Sequence, residues 1–112
     1  MKFFSKRKGT MDITSSEFKE KIKEKPGTVI DVRRKDEYDE GHLKMTAHQF
    51  DYLTGEFQEN IDELDKNETY YLYCRSGNRS GKAARIMKSK GFEDVYNIGG
   101  FQDLANEGFE TE

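Results

Sequence analysis

Thr69-Tyr70-Tyr71-Leu72-Tyr73-Cys74 runs without a break into Arg75-Ser76-Gly77-Asn78-Arg79-Ser80-Gly81, and this stretch decides the fold. Its first half is aromatic and β-branched, the composition of a buried strand. Its second half is small, polar and basic, and is followed by Ala83, Ala84, Ile86 and Met87 at helical spacing up to Gly91. A strand that turns tightly into a helix is the unit from which parallel α/β sheets are assembled.

Outward from this unit the pattern repeats. Upstream, Thr28-Val29-Ile30-Asp31-Val32 reads as a second buried strand. Arg33 to Glu40 is a charged helical turn closed by Gly41, and Thr46 to Phe50 is a short strand. Phe57, Ile61 and Leu64 mark an acidic helix. Thr14-Ser15-Ser16-Glu17 is a capping box that opens a helix to about Lys23, with Phe18 and Ile22 inward, and Pro26-Gly27 stops it. Downstream, Asp94-Val95-Tyr96-Asn97-Ile98 is a strand stopped by Gly99-Gly100, and Phe101 to Ala105 is a last helix. The expected architecture is a small open, mostly parallel sheet of about five strands with helices on both faces. A basic arm over residues 1–9 precedes a single domain over residues 10–112.

Composition narrows the function classes. Of the 112 residues 37% are charged and 33% hydrophobic, but 12% are aromatic and recur in strand-like runs, which indicates a folded domain. No apolar run is long enough to span a bilayer, and the basic start lacks the apolar region of a secretion signal. One cysteine, Cys74, permits no internal disulfide and no Cys-rich metal cage, which fits a reducing cytoplasm. The net charge of −3 argues against general nucleic-acid binding. The charge is unevenly placed, however: Arg75, Arg79, Lys82, Arg85, Lys88 and Lys90 follow the thiol with no Asp or Glu before Glu93.

Ligands of open α/β sheets gather beyond the carboxyl ends of the strands, where helix N-termini present free amides. Cys74 stands at that place. Ser76, Gly77 and Asn78 can fold so that successive N–H groups converge on one point, and Gly77 permits the backbone angle this needs. Such amides, with Arg75 and Arg79 nearby, favour the thiolate and lower the thiol pKa, giving a nucleophile that requires no histidine.

Cys74-Arg75-Ser76-Gly77-Asn78-Arg79-Ser80 resembles the active-site loop of single-domain rhodanese-like sulfurtransferases, Cys-Arg-x-Gly-x-Arg-Ser/Thr. Asp31-Val32-Arg33, then Glu37-Tyr38 and Gly41-His42, and later Gly99-Gly100, stand in the order of that family's other signatures, so that the likeness runs from about Ile13 to Ala105. The resemblance implies that Cys74 accepts a sulfane sulfur from a donor such as thiosulfate, holds it as a persulfide and passes it to cyanide or a thiol. It implies no metal or organic cofactor. The amides of Arg75, Ser76, Gly77, Asn78 and Arg79 form the cradle, and the side chain of Arg75 or Arg79 orients the anionic donor. Arg79 has a second option, bracing the loop through a carboxylate such as Asp31.

Two other functions fit the same residues. One is a sulfur-carrying or protein-docking module whose donor is a persulfidated protein. The other is a phosphatase or arsenate reductase, but related phosphatases place the arginine six positions after the cysteine, where this chain has Ser80. Leu43-Lys44-Met45-Thr46 replaces the Pro-Gly turn of many relatives, and Phe101 takes the place of a tryptophan. His42, His48, Asp31 and Arg33 read as structural, and Tyr70, Tyr71 and Tyr73 as strand packing. A monomer is the default expectation, with no nucleic acid and no membrane as partner.

Overall fold

The computed structural model describes residues 11–112, so the arm expected over residues 1–9 lies outside the described residues. Nine elements follow in order: α1 (Ser15–Glu24), β1 (Thr28–Asp31), α2 (Lys35–Glu40), β2 (Thr46–Gln49), α3 (Glu56–Ile61), β3 (Thr69–Cys74), α4 (Asn78–Ser89), β4 (Asp94–Gly100) and α5 (Phe101–Asn106). The capping box forms as its sequence requires. The Thr14 hydroxyl accepts from the Glu17 amide at 3.0 Å and the Glu17 carboxylate accepts from the Thr14 amide at 2.8 Å.

The strands are all parallel, in the order β2-β1-β3-β4. The sheet thus has four strands among the described residues rather than about five. Beyond β4 the segment before α1 contributes only an isolated parallel bridge, Asp12 to Asn97, flanked by Asn97 N–H to Met11 O at 2.8 Å and Ile13 N–H to Asn97 O at 3.0 Å.

Strand periodicity divides the core into two layers. Tyr70, Leu72 and Cys74 of β3 point into one layer with Phe57 and Ile61 of α3 and Ala83, Ala84 and Met87 of α4. Tyr71 and Tyr73 point into the other with Phe18 of α1 and Leu104 of α5. Every residue of β3 is buried. The tyrosines act as packing, as expected, and each buried hydroxyl finds a partner: Tyr70 donates to Asp65 O at 2.7 Å and Tyr71 to Lys25 O at 2.6 Å. The Tyr73 oxygen accepts from Leu43 N–H at 3.0 Å and lies 2.9 Å from Thr46 Oγ. That hydroxyl anchors the turn in which the Pro-Gly pair is missing. The same turn is held from outside, where Leu43 bridges Thr111 and Lys44 N–H donates to Glu110 O at 2.9 Å.

Gly99 and Gly100 do not stop β4 but lie within it. The pairing Leu72–Asn97 is followed by Tyr73–Gly99 and Cys74–Gly100, so Ile98 is an extra residue and the strand bulges. Turn-forming residues are used here for close approach: a Cβ on Gly100 would collide with the Arg75 carbonyl oxygen and stand 3.2 Å from Ser76 Cα. Gly100 therefore keeps the loop after β3 seated on the sheet. Replacement Gly100→Ala is expected to destabilise the fold by roughly 1–3 kcal/mol through overpacking, measured by urea unfolding. The Cys74 thiol of this variant should titrate at higher pH than that of the parent protein as its loop lifts.

Candidate active site

The loop after β3 turns at Gly77, whose φ of 96° is left-handed and whose added Cβ would stand 3.3 Å from Gly99 Cα. This turn directs amides back at the sulfur. Cys74 Sγ accepts from Gly77 N–H at 3.1 Å, from Ser80 N–H at 3.4 Å and from the Ser80 hydroxyl at 3.4 Å. Cys74 is completely buried.

Burial alone pushes the thiol pKa up, but hydrogen bonds outweigh it. The Ser80 hydroxyl acts most strongly, then the amides of Ser80, Ser76 and Gly77, and together they bring the thiol below its ordinary value. The arginines of the loop contribute less than these hydrogen bonds. Ser80 belongs to the loop pattern quoted above without a role of its own; its position in the first turn of α4, from which its amide and hydroxyl reach back to Sγ, is what gives it one.

The two arginines separate in space. Arg79 is not paired with Asp31: it makes a forked ion pair with Glu37 of α2, Nη1 to Oε1 at 2.9 Å and Nη2 to Oε2 at 3.2 Å. Asp31 is occupied instead by Arg33, whose Nε and Nη2 both donate to its carboxylate, at 2.8–3.0 Å. Arg33 Nη2 also donates to Gly41 O at 2.7 Å, and its guanidinium lies 4.8 Å from the Phe101 ring. Asp31 and Arg33 thus brace the sheet edge. Arg75 is exposed and forms no ion pair among the described residues.

Beside the loop lies a cavity of about 410 Å³ lined by residues including Arg33, Glu37, Glu40, Gly41, Arg75 and Phe101. Cys74 does not line it, and neither histidine does. His42 stacks on Tyr38 with ring centroids 3.7 Å apart and places Nδ1 2.9 Å from Tyr38 O, while His48 stacks on Phe50 at 4.9 Å. No cluster of His, Cys, Asp and Glu suited to a metal ion occurs among the described residues.

A parallel α/β sheet whose buried central strand ends in a cysteine wrapped by the amides of a short loop defines a class of cysteine-loop α/β domains. Within that class the chain belongs to the rhodanese-like domain family, whose sequence model matches residues 14–107. Thiosulfate sulfurtransferase PspE of Escherichia coli is 35% identical over 78 residues, 68% of this chain and 72% of PspE. YrkF of Bacillus subtilis, provisionally named a sulfur carrier protein, is 35% identical over 88 residues; these are 78% of this chain but only 46% of YrkF, so the chain spans less than half of that relative. A crystal structure of a rhodanese-like domain protein from Staphylococcus aureus superposes with a TM-score of 0.73 at 31% identity, covering 90% of this chain and 97% of that one.

The Arg79–Glu37 pair ties α4 to α2 across the site. Arg79 first, through its hydrogen bonds, holds the Glu37 carboxyl below the usual carboxylate range against the opposing effect of burial. Because the folded pKa is depressed, the pair's contribution is complete above the unfolded value of about 4.3 and is lost as pH falls through the folded value. Glu37→Gln is expected to cost on the order of 2 kcal/mol near neutral pH. It should also flatten the fall of urea stability between about pH 5 and pH 3 relative to the parent protein.

Proposed function

We propose that this protein is a sulfurtransferase that moves a sulfane sulfur from thiosulfate, or a donor of that class, to cyanide or a thiol through a persulfide on Cys74. The observation that carries this reading is the buried Cys74 sulfur, held by Gly77 N–H, Ser80 N–H and the Ser80 hydroxyl, hydrogen bonds that lower its pKa from the ordinary thiol value against the effect of burial. In the first step the thiolate attacks the outer sulfur of the donor. A new S–S bond forms, the donor's own S–S bond breaks, and sulfite leaves with its electron pair. In the second step the acceptor attacks the outer sulfur and the Cys74 thiolate departs as leaving group. Cys74 is the nucleophile, and the amides of Arg75, Ser76, Gly77, Asn78 and Arg79 cradle the charge. No step requires a metal or organic cofactor.

Arg75 is the side chain that attracts the donor, since it is exposed, unpaired among the described residues and on the cavity wall, whereas Arg79 is committed to Glu37. That commitment also weighs against a phosphatase or arsenate reductase, in which the loop arginine must embrace the oxyanion. Residues 10–112 act as one domain, and the lone thiol suits a reducing compartment such as the cytoplasm.

One observation favours the second reading, a sulfur carrier served by a persulfidated protein. Cys74 has no exposed surface, so any donor reaches it only when the rim of the loop gives way, and a docked protein can open that rim. Two measurements decide between these readings. Intact-mass spectrometry after thiosulfate exposure should show one added sulfur, absent in Cys74→Ser, and thiocyanate formation should saturate with donor. Sulfur gain only from a persulfidated protein, with no thiocyanate turnover, would instead establish the carrier. Arg75→Ala should raise KM for thiosulfate by roughly three- to tenfold with kcat little changed, as expected for loss of one exposed charge contact with an anion.

A further inference from the structure

Asn97 of β4 is a nearly buried amide engaged at both ends. Its Nδ2 donates to Asp12 Oδ1 and to Gly77 O, each at 3.0 Å. Its Oδ1 accepts from Gly99 N–H at 3.1 Å and lies 2.7 Å from Ser80 Oγ. Acceptors at one end and an N–H donor at the other allow only one orientation of the amide. Ser80 Oγ is completely buried and carries a single hydrogen, for which Asn97 Oδ1 at 2.7 Å and Cys74 Sγ at 3.4 Å compete.

We infer that Asn97 is a positioning residue that acts on the Cys74 sulfur through Ser80, its carbonyl being the alternative acceptor for the hydroxyl hydrogen as charge enters and leaves Sγ. This rests on the sulfurtransferase reading. With the charge on Sγ, Ser80 donates to the sulfur and Asn97 Oδ1 keeps the Gly99 N–H. Once Sγ has used its electron pair to form the S–S bond, the charge resides on the outer sulfur and Sγ is a poor acceptor. The hydroxyl then rotates back to Asn97. No proton enters or leaves, and no buried donor is stranded at either stage.

The charged groups around the sulfur are Arg75 on its own loop, Arg79 with Glu37 of α2, the Asp31–Arg33 pair at the end of β1, and Asp12 behind Asn97. None of them hydrogen-bonds Sγ, whose partners are Gly77 and Ser80. Asn97 touches both partners, Gly77 at its carbonyl and Ser80 at its hydroxyl, and of the two only the Ser80 hydroxyl has a hydrogen that can change acceptor.

The experiment is an ultraviolet thiolate-absorbance titration of the full chain. In Asn97→Ala the hydroxyl hydrogen has only Sγ left, so the thiolate-to-thiol ratio at a fixed pH below the midpoint should rise by roughly three- to tenfold, the worth of one net hydrogen bond. In an Ser80→Ala background the same substitution should produce no rise. Asn97→Asp, nearly isosteric, retains the hydroxyl hydrogen more tightly and should lower the ratio, and part of that fall should disappear in the Ser80→Ala background. Both variants lose the amide donor to Gly77 O, so a merely loosened loop would move both downwards, and only competition for the hydrogen moves them apart. A fall in Asn97→Ala, or an equal rise without Ser80, overturns the inference. If Asn97→Ala does not fold, an Asn97→Asp fall of the same size with and without Ser80 does so. Should the parent protein take no sulfur from any donor, the sulfurtransferase reading fails, while the titration still decides whether Asn97 governs the thiol.

Discussion

A sulfur atom with no exposed surface is ringed by hydrogen-bond donors that favour its charged form, and the rest of the structure is arranged around that ring. Removing a thiolate from water costs several kcal/mol when nothing replaces the lost hydration. Here two amide hydrogens and one hydroxyl replace it, and hydrogen bonds to charged groups contribute about 1.5–3 kcal/mol each. The two sides are comparable, and the donors prevail by enough to lower the thiol's pKa. The balance is kept because β3 is buried along its whole length, which leaves its last residue no freedom to move away from the loop.

The basic residues after Cys74 look alike in the sequence but divide their work once folded. Arg79 is structural, a forked clamp from α4 to Glu37 on α2, and Lys90 makes an exposed pair with Asp62. Arg33 does for the other wall what Arg79 does for the loop, since it joins Asp31, the Gly41 carbonyl and the face of Phe101. The cavity is therefore walled by charges already neutralised by partners, with Arg75 and Glu40 left as side chains without an ion pair among the described residues. A wall of satisfied pairs holds its shape without attracting every anion in solution.

Much of this was legible in the chain because its signals are local. The β3–loop–α4 unit, the capping box at Thr14 and the two-faced packing of the tyrosines each follow from residues within a few positions of one another. What escaped reading depends on distant partners. Arg79 finds Glu37 42 positions away, rather than Asp31, because Asp31 is taken by its near neighbour Arg33. Asn97 sits in a strand where polar residues carry no periodic signature, and its meaning appears only when β4 lies beside α4. In the sequence the glycines of β4 signal a stop, because a pair of glycines breaks a strand more often than it continues one as a bulge. The turn after His42, without Pro-Gly, is held by the Tyr73 hydroxyl and by residues 110–112, which no local pattern could announce.

The bulge at Ile98 and the length of the cysteine loop are two halves of one fitting. The extra residue shifts the register by one, so that Gly100 rather than Gly99 lies opposite Cys74, and the space left by its missing side chain receives the Arg75 carbonyl. In this chain loop and strand are fitted to each other at Gly100. A protein engineer who transplants a longer phosphatase-type loop into this scaffold must carry over the facing strand as well, because the donor loop's first carbonyl would otherwise meet a seat cut for a different key.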